Sequence, residues 1–137
     1  MRASVMVVGC SVWSGCFGVS APSGTSAEAE LLRNVEGIRQ AEIALQVVDV
    51  FLPCGDEAGA LASLQPAPRA WDGPDCFARI GWAPEGTVQG AYYVSVGDGA
   101  QDFRVVGLAD TDGDGQRMRV EATLSQAAKR VSADGML

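Results

Sequence analysis

The sequence predicts an α+β domain: one long amphipathic N-terminal helix packed on a four-stranded antiparallel β-meander. Three observations carry this expectation. Leu31, Val35, Ile38, Ala41, Leu45 and Val48 follow one another by three or four residues, which on a helix builds one continuous apolar stripe. From Phe77 onward the period changes to two, with apolar residues alternating with polar ones between glycine-rich turns. The chain has 137 residues, enough to bury one core and too few for two.

The elements follow in order. Residues 1–18 open with Met1-Arg2 and continue through Val5, Met6, Val7, Val8, Val12 and Trp13, a short export-signal-like segment that is too short to span a bilayer as a helix of roughly 20 residues. Two cysteines lie in it. Cys10 follows a lipobox-like Val7-Val8-Gly9 very early, whereas Cys16, after Trp13-Ser14-Gly15, is better placed for a lipid anchor. Residues 19–24 form a linker with Pro22 and Gly24, and residues 25–137 form the globular domain. Thr25 with Glu28 makes a capping box at the head of a helix that reaches about Phe51, and Arg33, Glu36, Arg39, Gln40 and Glu42 are placed on its solvent face. A lone amphipathic helix must bury its stripe against another layer.

Residues 55–74, rich in Ala, Gly and Pro, read as a connecting loop. Strands are expected at 77–82, 87–96, 103–109 and 118–124, with turns at Pro84-Glu85-Gly86, Gly97-Asp98-Gly99 and Asp110-Thr111-Asp112-Gly113-Asp114-Gly115. The tail from residue 126 is small and polar, suited either to fraying or to covering a sheet edge.

Composition removes several functions. A net charge of −7 and a pI near 4.4 leave no basic surface for a nucleic-acid backbone. The sequence contains no histidine, so Ser-His and Cys-His catalytic arrangements are absent and no enzymatic activity is expected. With the first two cysteines in the export segment, Cys54 and Cys76 remain as a pair. In an exported chain they read as one structural disulfide, since a redox-active dithiol favours a C-x-x-C spacing.

The aspartate run supports two readings. Asp110, Asp112 and Asp114, with Gly115 and Glu121, satisfy the ligand spacing of an EF-hand calcium loop. Both flanks alternate as strands, however, and Glu121 would stand about 20 Å past Gly115 at roughly 3.3 Å per residue. A hairpin turn remains, either plain or holding a weak calcium ion on the three aspartates; no other cofactor is implied. Asp49, Asp56, Glu57, Asp72 and Asp75 show no fixed pair for glycoside chemistry and read as solvated loop charges. Trp71, Trp82, Tyr92 and Tyr93 suit either a sugar-stacking platform or, as strand aromatics more often do, sheet packing.

Two stretches bear a family resemblance. Leu31-Leu32-Arg33-Asn34-Val35-Glu36-Gly37-Ile38-Arg39-Gln40-Ala41-Glu42 resembles the latter half of the long helix of type IV pilin-like proteins. Gly81-Trp82-Ala83-Pro84-Glu85-Gly86, followed by Asp102-Phe103-Arg104-Val105-Val106-Gly107-Leu108-Ala109 and the aspartate turn, is similar to the β-sheet head of such proteins from Gram-negative bacteria. The resemblance covers about residues 27–123. It implies an exported, non-enzymatic structural subunit of a type IV pilus or a type II secretion pseudopilus, with other pilin-like subunits or envelope assembly proteins as partners. The expected place is the periplasm, the membrane or the cell surface. The start departs from the family, because Cys16-Phe17-Gly18-Val19 has neither the glutamate nor the apolar run of a prepilin cleavage site. A head tethered through a lipid on Cys16, a head docked on a separate partner and an incomplete reading frame are the expectations that follow. A periplasmic or outer-membrane lipoprotein that binds calcium or another small ligand, unrelated to filaments, is the alternative.

Overall fold

A computed structural model of the chain describes residues 23–46, 50–110, 113, 115 and 117–131. The segment read from the sequence as an export signal, with Cys10 and Cys16, lies outside the described residues, as do Asp112 and Asp114. The elements are helix α1 (Ser23–Gln46), short helices α2 (Glu57–Ser63) and α3 (Cys76–Ile80), and strands β1 (Ala91–Val96), β2 (Phe103–Ala109), β3 (Met118–Thr123) and β4 (Lys129–Arg130). The strands form one antiparallel sheet in sequence order.

Helix α1 lies across β2 and β3. Leu31, Val35 and Ile38 are fully buried there, packed with Tyr92, Val94, Phe103, Val105, Val120 and Ala122 from the facing side of the sheet. Each such apolar side chain contributes about 2 kcal/mol on leaving water. The other side of the sheet carries a smaller cluster in which Ala60 of α2 meets Ala91, Tyr93, Val106 and Leu108. Strands β1 and β2 are thus covered on both sides, which accounts for the consecutive burial of Ala91 to Val94 and of Val105 to Ala109.

The fold class read from the sequence needs correction. The domain is α+β with a four-stranded antiparallel sheet, but the first helix is short, its packing defined over residues 27–45, and it is not the long N-terminal helix expected. Its described range is Ser23–Gln46, and Val50 beyond it is irregular chain. Phe51 lies past its end and is buried from irregular chain, edge-on to Phe103 at 4.7 Å. Thr25 falls inside the helix rather than capping it.

The strands also differ from expectation. The expected first strand, 77–82, is α3, where Phe77 and Ile80 are buried at an i, i+3 spacing and Gly81 ends the turn at φ 96°, its N–H bonded to Phe77 O and Ala78 O. The residues read as a loop before it contain α2, capped by Asp56, whose Oδ1 accepts the Gly59 N–H at 2.7 Å. The fourth strand comes from the tail. Lys129 pairs with Glu121 and Arg130 with Val120, so the tail covers the sheet edge beside β3. Helix α1 holds that connection in place: Glu36 Oε1 accepts the Ala128 N–H at 2.9 Å, and Arg39 donates to Thr123 O and Leu124 O at 2.7 and 3.1 Å.

The helix approaches closely over Gly107, which pairs with Tyr92 across the ladder. A Cβ at this position would lie 2.7 Å from Val35 Cγ2 and 3.0 Å from Tyr92 Cε1. Gly107→Ala is expected to lower stability by about 2 kcal/mol, because neither fully buried Val35 nor the aromatic ring has room to give way. A fall in the urea midpoint with the slope unchanged is the readout.

Candidate functional site

Cys54 and Cys76 are joined in a disulfide with Cα atoms 5.5 Å apart. The bond has a structural setting at both ends. Cys54 extends the sheet edge, exchanging backbone hydrogen bonds with Val94 at 3.0 and 2.8 Å, and Cys76 opens α3, whose Phe77 sits in the main core. The chain between them carries α2.

The aspartate run forms the connection between β2 and β3, whose ladder closes at Ala109 opposite Met118. Strands on both sides remove the EF-hand arrangement, which needs helices there. Asp110 shapes the loop from within: its Oδ1 accepts the Gly113 N–H at 2.9 Å and its Oδ2 the Gly115 N–H at 3.0 Å. Both glycines have positive φ, 72° and 86°, conformations that side-chain-bearing residues adopt only with strain. Of the three aspartates proposed for calcium, only Asp110 is among the described residues, and among those residues no group of three or more His, Cys, Asp or Glu converges as a metal site. Glu121 is well removed from the loop. It stands opposite Val106 and pairs with Arg119, which also approaches Glu57 of α2 at 3.6 Å.

The most constrained polar cluster is one that sequence reasoning did not pick out. Glu30 is buried under the start of β1, where its carboxylate accepts the backbone N–H of Gln89 at 2.9 Å, that of Gly90 at 2.9 Å, and the Tyr92 hydroxyl at 2.8 Å. Asn34 Nδ2, one helical turn on, donates to the same hydroxyl at 3.0 Å. Burial, then the neighbouring Glu30 carboxylate, pushes the Tyr92 phenol far above its ordinary range. The signal was present in the sequence. Glu30, Asn34 and Glu42 fall at four-residue multiples on the same face as Leu31, Val35 and Ile38.

Glu42 extends that polar line and corrects its assignment to the solvent face, since its side chain is fully buried. One carboxylate oxygen, Oε1, accepts the Leu52 N–H at 3.0 Å, tying the chain past the helix back onto it, while Oε2 has no hydrogen-bond partner. Burial disfavours the ionised form and raises the pKa above 4.5, with the Leu52 N–H opposing. The folded chain therefore holds this proton at a pH where the unfolded chain has released it. Its contribution to stability is complete below pH 4.5 and is lost as pH rises through the folded-state value. Glu42→Gln is expected to remove that dependence, so that the variant's melting temperature changes less than the parent's between about pH 5 and pH 8. Parallel melting curves across that range check it.

The aromatics divide between the two sides of the sheet. Trp71, Phe77, Trp82 and Tyr92 form an edge-to-face cluster with centroids 5.4–6.2 Å apart, the range favoured by ring quadrupoles. Trp82 rests on Gly37 of α1, where a Cβ would lie 2.9 Å from its Nε1. Tyr93 points to the other side and donates to Glu57 Oε1 at 3.0 Å, so of the four aromatics weighed as a sugar-stacking platform or, as more often, sheet packing, Trp71, Trp82 and Tyr92 pack together and Tyr93 stands apart. Among the described residues no helix is long and apolar enough to cross a membrane. No protein-family model matches the chain, and no curated protein or solved structure matches it.

Proposed function

We propose that this chain is an exported, non-enzymatic subunit of a pilin-like assembly at the cell envelope, with other such subunits or envelope assembly proteins as its partners. The Cys54–Cys76 disulfide carries the reading, because such bonds form and persist in oxidising compartments outside the cytosol. The phrases Leu31 to Glu42 and Gly81 to Gly86, with the aspartate turn, supply the resemblance to pilin-like proteins. The histidine-free composition argues for a structural rather than a catalytic role. The outward side of α1, with Ala29, Arg33, Gln40 and Ala44 exposed, offers a neighbour a surface of small and polar side chains.

Fractionation of the native cells tests the proposal. Expected are recovery in the envelope or in the sheared surface fraction, thiols at Cys54 and Cys76 that react with a maleimide only after reduction, and cross-links to other pilin-like subunits. Recovery from the cytosol with both thiols reactive would overturn it.

A further inference from the structure

A cavity of about 170 Å³ opens between α2, the segment around residues 69–74 and the start of β1. It is smaller than the roughly 300 Å³ at which pockets for drug-sized ligands begin, and has room for a single six-membered ring. Its lining is of mixed chemistry. Trp71 and Tyr92 supply aromatic wall, and Asp56, Asp72, Ser63 and Arg69 supply polar groups.

We infer that this cavity binds one pyranose ring of a neutral glycan. The wall sets one guanidinium, Arg69, against two carboxylates, Asp56 and Asp72, so an anion is disfavoured and hydrogen-bonding groups of both kinds face a neutral polyhydroxyl ligand. A sugar hydroxyl both donates and accepts, and the wall provides both partners. The Asp72 carboxylate makes no hydrogen bond or ion pair among the described residues, and only Oδ1 of Asp56 is used, by the Gly59 N–H. Arg69 spends two of its five N–H groups on Gln89 O and Gly90 O, at 3.4 and 3.0 Å, which fixes the guanidinium and leaves donors for a ligand. Ser63 donates to Ala60 O and keeps its lone pairs. The negative π-face of an indole complements the C–H side of a sugar ring.

The wall is also preformed. The Trp71 ring lies against Gly73, where a Cβ would stand 2.2 Å from its Cζ2, and meets Phe77 and Trp82 edge-on at 5.6 and 5.5 Å. A ligand therefore does not have to order this side chain on arrival. The inference does not depend on the assembly role proposed above, since a lone subunit presents the same cavity.

The test is a titration of the intact, oxidised chain with methyl β-glucopyranoside, methyl α-galactopyranoside and N-acetylglucosamine, followed by ¹⁵N NMR at the Trp71 indole N–H and the backbone amides of Ser63 and Gly73. Saturable shifts at these signals are expected for at least one sugar, with a dissociation constant of about 1 mM, in keeping with a ligand of so few atoms. Asp72→Ala, on an exposed loop, is expected to weaken binding at least about fivefold, the loss of one hydrogen bond to a charged acceptor. The inference is overturned if no sugar gives saturable shifts at concentrations well above that constant. It is equally overturned if n-butylammonium shifts these signals and the sugars do not, or if Asp72→Ala binds as tightly as the parent.

Discussion

Glu30→Ala lowers the stability of the folded chain by about 4 kcal/mol, the largest effect expected of any single substitution here. The estimate follows from what the carboxylate holds. Two backbone N–H groups, of Gln89 and Gly90, and the Tyr92 hydroxyl all donate to it in a buried setting, and alanine leaves them with no acceptor at that point. An unsatisfied buried donor costs about 1–3 kcal/mol, so three of them outweigh the gain from no longer burying a carboxylate. Asn34 softens the loss only at Tyr92, and there it acts as a donor, which does not replace the missing acceptor. Against the 5–15 kcal/mol typical of a whole domain, the variant is left near its folding limit. Glu30→Gln keeps one carbonyl acceptor and falls between the two. Urea denaturation of the three proteins checks the order; a variant with alanine as stable as the parent would remove Glu30 from its place as the link between α1 and β1.

The second large effect is loss of the disulfide. Cys54→Ala with Cys76→Ala, or reduction of the parent, is expected to lower stability by about 3 kcal/mol, the chain-entropy value for a loop with a sequence separation of 22. More than the loop is at stake, because Cys54 is also the backbone partner of Val94 at the sheet edge. Cleavage by a nonspecific protease should concentrate in residues 55–75 once the bond is gone, with the sheet cut later. Coincident denaturation midpoints with and without reductant would contradict the expectation.

Much of the main core is legible in the sequence. Leu31, Val35 and Ile38 announce themselves by spacing, β3 by alternation, and the Cys54–Cys76 pair by elimination. The displacement of Glu121 from the aspartate loop also follows from strand rise alone. What escapes is set by tertiary context. The 77–82 segment has aromatic and branched residues suited to a strand, but the bond at Cys76 and the left-handed Gly81 enclose it in one helical turn. Residues 129 and 130 have no apolar pattern, and pair because Glu36 and Arg39 deliver them to β3. The burial of Glu30 and Glu42 is the instructive miss, since polarity argues for solvent while position argues for the core. Position prevails where backbone N–H groups wait to be met.

The short fourth strand bears on how copies of the chain meet. A bare β3 would present a row of open backbone donors and acceptors, a template on which the same strand of another molecule could pair. Among the described residues two are laid over it, both exposed and both cationic, with the Val131 N–H bonded to Arg119 O just beyond them. That covering is too brief and too charged to seed a further strand. Uncontrolled edge-to-edge aggregation is checked on this side by Lys129 and Arg130.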